Sequence, residues 1–391
     1  MSLLDGIRAG RQLRKVGIQH DSSAPSLVDN VKLTDEYDAI VLQANIENWG
    51  SAVADFTPKT MQVPLTLAQG RLLLRAYEKL EHDRENIVSA AAAEHVAVSA
   101  SASAEGRTNT SGPLVPEEAQ LLEELGARVQ AAIDELAPGD GATGCFMKLS
   151  SRSPKDAAAR SGVFESYYAR AVRDEHGKLR ELDDEQKLWM LCESEGAALR
   201  FRDAASVLRA LVLSERVWQD MTLAMRHPET WRQNVILRKW EPVPIDMEFR
   251  TFVSNGRLTA ISQYAYQLYS PRLNDAAQLQ LAIAAIRDLY NDLWPILAKT
   301  GFSSCVLDFG VIPPPPAAGG AWRATLIEIN PFEETTDGAL FSWTRERDIF
   351  EGKAAGLEYP VVRITETKRT GALAMVPMGW KEVMAKVERT F

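Results

Sequence analysis

The alternation of apolar and polar positions divides the chain into segments of distinct character. Residues 1–36 are polar and weakly patterned and read as an N-terminal extension. From Tyr37 the pattern becomes globular: "AIVLQANIENWGS" reads as a strand entering a loop, and "PLTLAQGRLLLRAYEKL" has helical apolar spacing. Residues 88–113 are then small and polar. They offer too little apolar surface to offset their ordering entropy, which predicts a disordered insertion. Pro116 opens an amphipathic helix that Pro138-Gly139 stops. "CFMKLSS" reads as a short strand, followed by helices over 185–197 and 203–226. A helix over 274–299 contains Pro295, and strands over 304–311 and 322–330 flank a proline-rich loop, 312–320.

The block from Val235 to Tyr264 reads as three strands, two of them joined at Asn255-Gly256, a pair that tolerates positive φ. Its polar residues are unusual for buried strands. Arg238, Lys239, Glu248, Arg250 and Gln263 are threaded among Val, Ile and Phe, leaving little alternation. A solvated antiparallel face with cross-strand ion pairs accounts for any one of them. A surface built to hold a polyanion accounts for the set.

Composition narrows the choice. A chain of 391 residues at 46% hydrophobic supports a large core, and a net charge of −9 argues against nucleic acid as a partner. Three separated cysteines and five scattered histidines give neither a disulfide framework nor a zinc site. No apolar run reaches the roughly 18 residues that a membrane span needs. The first residues lack the apolar region of a signal peptide. The chain reads as soluble and cytoplasmic.

"GDGATG" matches the glycine pattern of dinucleotide folds, but it follows a helix and opens a strand, the reverse of the required context. The pair "CVLDFGV" and "TLIEINPFEETTDG" is more informative. Strand alternation puts Leu326, Glu328 and Asn330 on one face. If the two strands pair antiparallel, Asp308 faces Glu328 and Asn330. Such an all-oxygen set suits Mg²⁺ shared with a nucleotide's phosphates; the plain alternative is a solvated face or a loop cap. Arginine and lysine of the Val235–Tyr264 block would then meet phosphates. Glu248 would hold a ribose hydroxyl or the metal, and the backbone of Leu237–Trp240 would read an adenine edge. In "FMKLSSRSPKDA", Lys148 reads either as an ordinary strand residue or as a lysine reaching phosphates. The serines and Asp156 either line that site or form a turn and helix cap.

"FMKLSSRSPKDA", "LRKWEPVPIDMEFRTFV", "GRLTAISQY", "CVLDFGV" and "LIEINPFEETTDGALFSW" occur together and in order. In this the chain resembles the cell-division-cycle 123 family from about Trp49 to Trp343. The resemblance implies an α+β ATP-grasp fold, with nucleotide between a small sheet and a larger antiparallel sheet with helices. The core would span 37–343 and a C-terminal segment 344–391. It implies ATP and Mg²⁺ as cofactors, with Lys148 and Arg250 acting on the phosphates and Gln263 near them; Ser150 and Asp156 remain candidates from the residue reading alone. Arg238, Lys239 and Trp240 would form the adenine hinge and Glu248 would hold the ribose. Asp308, Glu328 and Asn330 would hold the metal. It further implies assembly of translation initiation factor 2, with the γ subunit as client. The alternative is an ATP-grasp ligase using Arg152, Lys155 and Arg345 for an anionic substrate. Ser150 and Ser151 stand where the family usually has Asn-Trp, and Glu328 where it usually has Asp.

Overall fold

The structure is a computed structural model and describes residues 43–96, 116–138, 143–315, 320–369 and 371–389. The expected N-terminal extension and most of the expected insertion lie outside these residues. In chain order the elements begin with β1 (Thr60–Pro64), α1 (Leu67–Val96), α2 (Pro116–Leu136) and β2 (Cys145–Leu149). Next come α3 (Ala157–Arg160), α4 (Val163–Ala171), α5 (Asp184–Ala198), β3 (Arg200–Phe201), α6 (Ala204–Leu213) and α7 (Glu215–Ala224). Then follow β4 (Asn234–Lys239), β5 (Glu248–Ser254), β6 (Arg257–Gln263) and α8 (Ala276–Leu297). The last are β7 (Cys305–Ile312), β8 (Arg323–Asn330), α9 (Arg347–Phe350), β9 (Val361–Arg363) and α10 (Met378–Arg389).

Three elements differ from their sequence reading. The helix α1 runs on to Val96, into the stretch expected to be disordered. Gln43 and Ala44, the described end of an expected strand, are not extended, and the loop after them forms a helical turn at residues 46–48, which Trp49 anchors with its indole N–H donated to the Ala44 carbonyl at 2.9 Å. The expected helix over 203–226 is two helices. Ser214 breaks it by adopting an extended backbone, and its hydroxyl accepts the Val217 N–H to cap α7.

The chain divides into two compact units. One comprises Thr60–Val163 and Ala198–Lys239. Its four strands lie in the order β1-β4-β2-β3, with antiparallel pairs. One face of this sheet, carrying Val63, Met147, Leu149, Val235 and Leu237, enters the core. The helix α2 meets that core with Leu125, Val129, Ala132, Ile133 and Leu136, a stripe at helical spacing. Each large apolar side chain buried there contributes about 1.5–3 kcal/mol relative to exposure.

The other unit comprises the segment before Thr60, Phe164–Ala197 and Trp240–Phe391. Its sheet has the order β8-β7-β5-β6-β9. The first four strands are antiparallel neighbours, while β9 returns parallel to β6. Asn255 and Gly256 turn the β5–β6 hairpin with φ of 49° and 72°, as their sequence signals. The helix α8 starts at the Asp275 cap and buries Ala282, Ile286, Tyr290, Leu293 and Leu297. The opposite face of the sheet is covered at one end by Phe341, Trp343 and Phe350, packed on Phe252, Ala260 and Val306.

Only three residues pair β9 with the sheet, and a side-chain ion pair reinforces it. Arg363 donates to both oxygens of Glu346, at 3.0 and 2.6 Å. This bond to Arg363 is the largest of the effects that hold the Glu346 carboxyl below the usual glutamate range. A lowered folded-state pKa means that the stabilisation is present above the ordinary glutamate value and is lost as pH falls through the folded one. Glu346→Gln should therefore lower the melting temperature at neutral pH. The gap from wild type should close as pH falls below the ordinary glutamate range, read by thermal melts from pH 7 to pH 3. A gap independent of pH would refute the assignment.

Candidate nucleotide and metal site

In the unit built on the four-stranded sheet, Lys148 pairs in register with Ile236, and Arg238 with Phe146. Directly paired residues share a face, so Lys148 and Arg238 point the same way, away from the core that holds Met147 and Leu237. Both are buried. Lys239 pairs with Cys145 on the other face and is exposed, so it does not join them. Trp240, half-buried, follows the end of β4.

The loop after β2 is tied to the protein itself. The Ser150 hydroxyl accepts the Asn234 N–H at 2.9 Å. Ser151 and Arg152 both donate to Asp220, Arg152 through Nε at 2.8 Å. Asp156 accepts the Ser214 hydroxyl at 2.6 Å and the Glu215 N–H at 2.7 Å. It also accepts the Arg216 N–H at 3.3 Å. The sequence admitted Asp156 as a nucleotide residue or as a helix cap. The structure makes it a cap, though of the distant helix α7, where its charge meets the positive end of the helix dipole.

The five-stranded sheet gathers the acidic residues. Arg250 of β5 pairs with Asp308 of β7, and Asp308 with Glu328 of β8. Asn330 lies two residues further along the same face. A bulge between Asp308 and Phe309 corrects the expected alternation: Leu326 pairs with Phe309 and is buried on the reverse face, and Ile327 is the extra residue. Glu248 is half-buried at the start of β5, opposite Gly310 on the Arg250 face.

Arg250 is held from several sides. Its Nε and Nη2 donate to the two oxygens of Asp308 at 2.9 and 2.8 Å, a bidentate pair. Its Nη1 donates to the Asp337 carbonyl at 2.9 Å, and its guanidinium lies 4.9 Å from the centre of the Tyr264 ring. Burial opposes the charge, but Asp308 outweighs it and raises the Arg250 pKa. One N–H on each of Nη1 and Nη2 remains for another acceptor. Asp337 is fixed in turn by accepting the N–H of Ala339, which adopts a left-handed φ of 53°. Tyr266 faces the Asp337 carboxylate; burial first, and then that charge, push its phenol up to about 12. Sequence reading missed Tyr264, Tyr266 and Asp337. Alternation from Ser262 would have put Tyr264 on the Arg250 face, whereas nothing local marks Asp337.

Asn330 presents its N–H, not its oxygen, to Asp308 Oδ2 at 2.9 Å. Asp308 Oδ1 accepts one bond and Oδ2 two. Among the described residues no group of three or more His, Cys, Asp or Glu is placed to hold a metal; the set here is two carboxylates and an amide. All its donors are hard oxygens, which fits Mg²⁺ provided the Asn330 amide makes a half-turn. Gln263 does not belong to the set. It pairs with Phe249 on the reverse face, fully buried. Its Nε2 donates to the carbonyls of Ala265 and Leu268, and its Oε1 accepts the Thr365 N–H. The resemblance placed it near phosphates, but its carboxamide is already spent on backbone. The three cysteines are buried and burial raises their pKa, so none is a ready nucleophile.

A family model described as D123 matches residues 187–377, the stretch that carries this sheet. Over this stretch the chain is similar to the D123 family. A relative from Vanderwaltozyma polyspora, named translation initiation factor eIF2 assembly protein, is 32% identical over 112 residues, 28% of this chain and 27% of its own. A relative of the same name from Schizosaccharomyces pombe is 32% identical over 117 residues, 30% of this chain and 32% of its own. The matched stretch thus spans about a quarter to a third of each relative. The solved structure of Cdc123 from Schizosaccharomyces pombe superposes with a TM-score of 0.51 at 21% identity, covering 83% of this chain and 96% of that one. The chain therefore shares the α+β fold of that structure.

Proposed function

We propose that this chain binds ATP with Mg²⁺ and serves as a cytoplasmic assembly chaperone for translation initiation factor 2, with the γ subunit as client. The observation that supports the nucleotide reading is the gathering of Arg250, Asp308, Glu328 and Asn330 on one face of the five-stranded sheet. Asp308, Glu328 and Asn330 would hold Mg²⁺, which when bound neutralises phosphate charge. Arg250 would turn its outer N–H groups to the phosphates while its inner edge stays on Asp308. Glu248, on the same face, would take the ribose. Lys148 and Arg238, side by side on the other sheet, supply cations of the kind that phosphates require. Ser150 and Asp156 contribute by holding the Lys148 loop in place. The names of the relatives support translation initiation factor 2 as what is assembled; the γ subunit as client follows from the resemblance alone.

The ligase alternative needs an anionic-substrate pocket from Arg152, Lys155 and Arg345. Arg152 is engaged by Asp220, which counts against it. Among the described residues no helix is long and apolar enough to cross a membrane.

Calorimetry should detect ATP binding that EDTA abolishes, and a pull-down should retain the γ subunit. Glu328→Gln, isosteric and half-buried, should weaken the metal-dependent binding and leave the melting temperature unchanged. ATP binding that is equally tight in EDTA would end the metal assignment. Robust ATP turnover with a small acid or amine, and no γ-subunit retention, would favour the ligase.

A further inference from the structure

A cleft lies within the unit of the five-stranded sheet, between α8 and the strands β6 and β9, with a volume of about 750 Å³. Its α8 wall runs from Leu279 to Asn291, which at helical rise is about 18 Å long. Ile283 and Val362 give it an apolar floor. Its charge is out of character for the molecule. The lining carries two arginines, Arg257 and Arg287, against one carboxylate, Asp288, in a chain of net charge −9.

The arginines are presented, not consumed. The Arg257 guanidinium lies 4.4 Å from the centre of the Tyr359 ring, and its Nη1 makes one long bond, 3.4 Å, to the Gly352 carbonyl. Stacking of this kind fixes the plane of the group and leaves its edge N–H groups for an acceptor. Arg287 stands exposed on α8 with no hydrogen bond or ion pair among the described residues.

We propose that this cleft docks an extended acidic segment of a partner protein, with carboxylates on Arg257 and Arg287 and apolar side chains on the floor between them. Charge complementarity selects the acid. Length selects a peptide over a compact metabolite, because about 18 Å matches five or six extended residues. The site is distinct from the acidic face of the sheet and does not depend on ATP being bound.

The test is to pan a displayed library of random eight-residue peptides on the full chain, counter-selecting with the Arg257→Glu/Arg287→Glu protein. The enriched pool should be acidic with interspersed apolar residues. Its leading peptide, labelled with fluorescein, should bind wild type saturably. It should lose roughly tenfold in affinity or more on the double variant, the scale of a lost charge-assisted hydrogen bond. A peptide with its acids changed to lysine should recover binding to that variant. Both arginines are exposed, so melting temperatures should not move. Should the double variant unfold, Arg287→Gln alone should still weaken the peptide. A pool without acidic bias, equal binding to the variants, or displacement by equimolar acetate or inorganic phosphate would overturn the proposal.

Discussion

Asp308→Ala should destabilise the protein by about 3–5 kcal/mol, because it leaves the Arg250 guanidinium buried without its counter-charge. For a unit of this size that corresponds to a fall of roughly 10 °C or more in melting temperature. The pair is buried on both sides, with side-chain exposures of 9% and 6%, so solvent does little to screen the loss. The Asp337 carbonyl and the Tyr264 ring would remain, but neither carries a full charge. Removing both charges together, as Arg250→Met/Asp308→Leu, should recover most of the stability, since an apolar pair avoids the desolvation penalty. It should not recover the proposed ATP binding, which on that reading uses both the cation and the metal-facing carboxylate. Thermal melts and calorimetry on the two variants separate these effects. A single variant within about 1 kcal/mol of wild type would mean that Arg250 does not depend on Asp308, since typical buried pairs cost more.

Gln263→Leu should cost about 3–9 kcal/mol while leaving ATP affinity nearly intact. Three backbone groups lose their partner at once: the carbonyls of Ala265 and Leu268 and the N–H of Thr365. Each buried group left unsatisfied costs about 1–3 kcal/mol. The Thr365 bond also joins the end of β6 to the segment after β9, so its loss should loosen β9. Gln263 lies on the face away from Arg250, so the protein that remains folded should bind ATP within roughly a factor of two of wild type. Denaturant melts paired with low-temperature calorimetry test this. Loss of ATP binding with unchanged stability would put the Gln263 carboxamide on the nucleotide and overturn the structural role.

The two residues differ in how their surroundings were encoded. Arg250 and Asp308 each announced themselves as charges inside apolar strands, and antiparallel pairing of β7 with β8 followed from the short connection between them. The Asn255-Gly256 turn, the apolar stripe of α2 and the strand after "GDGATG" were likewise legible. In each of these the deciding interaction lies within a few residues, where periodicity and turn chemistry act. Gln263 stood out as a polar residue in an apolar strand, but nothing local named its partners. Its donors reach Ala265 and Leu268 in the next loop, but its acceptor is filled from Thr365, 102 residues away.

The sequence by itself determined β2, the strands β4 to β8, the helices α1, α2, α5 and α8, and the acidic face, because these follow from local period and side-chain type. The tertiary structure alone decided who bonds to whom. Asp156 became the cap of α7, 58 residues on, instead of a lining residue. A one-residue bulge at Ile327 moved Leu326 to the reverse face, which strict alternation cannot foresee. Asn330 donates its amide N–H to Asp308 Oδ2, a bond that strand alternation alone does not specify. Strand β9 joined β6 in parallel across almost a hundred residues, where no turn signature exists. Composition and spacing fix what a side chain can do, but the partner that a buried polar group must find is set by packing between segments distant in the chain.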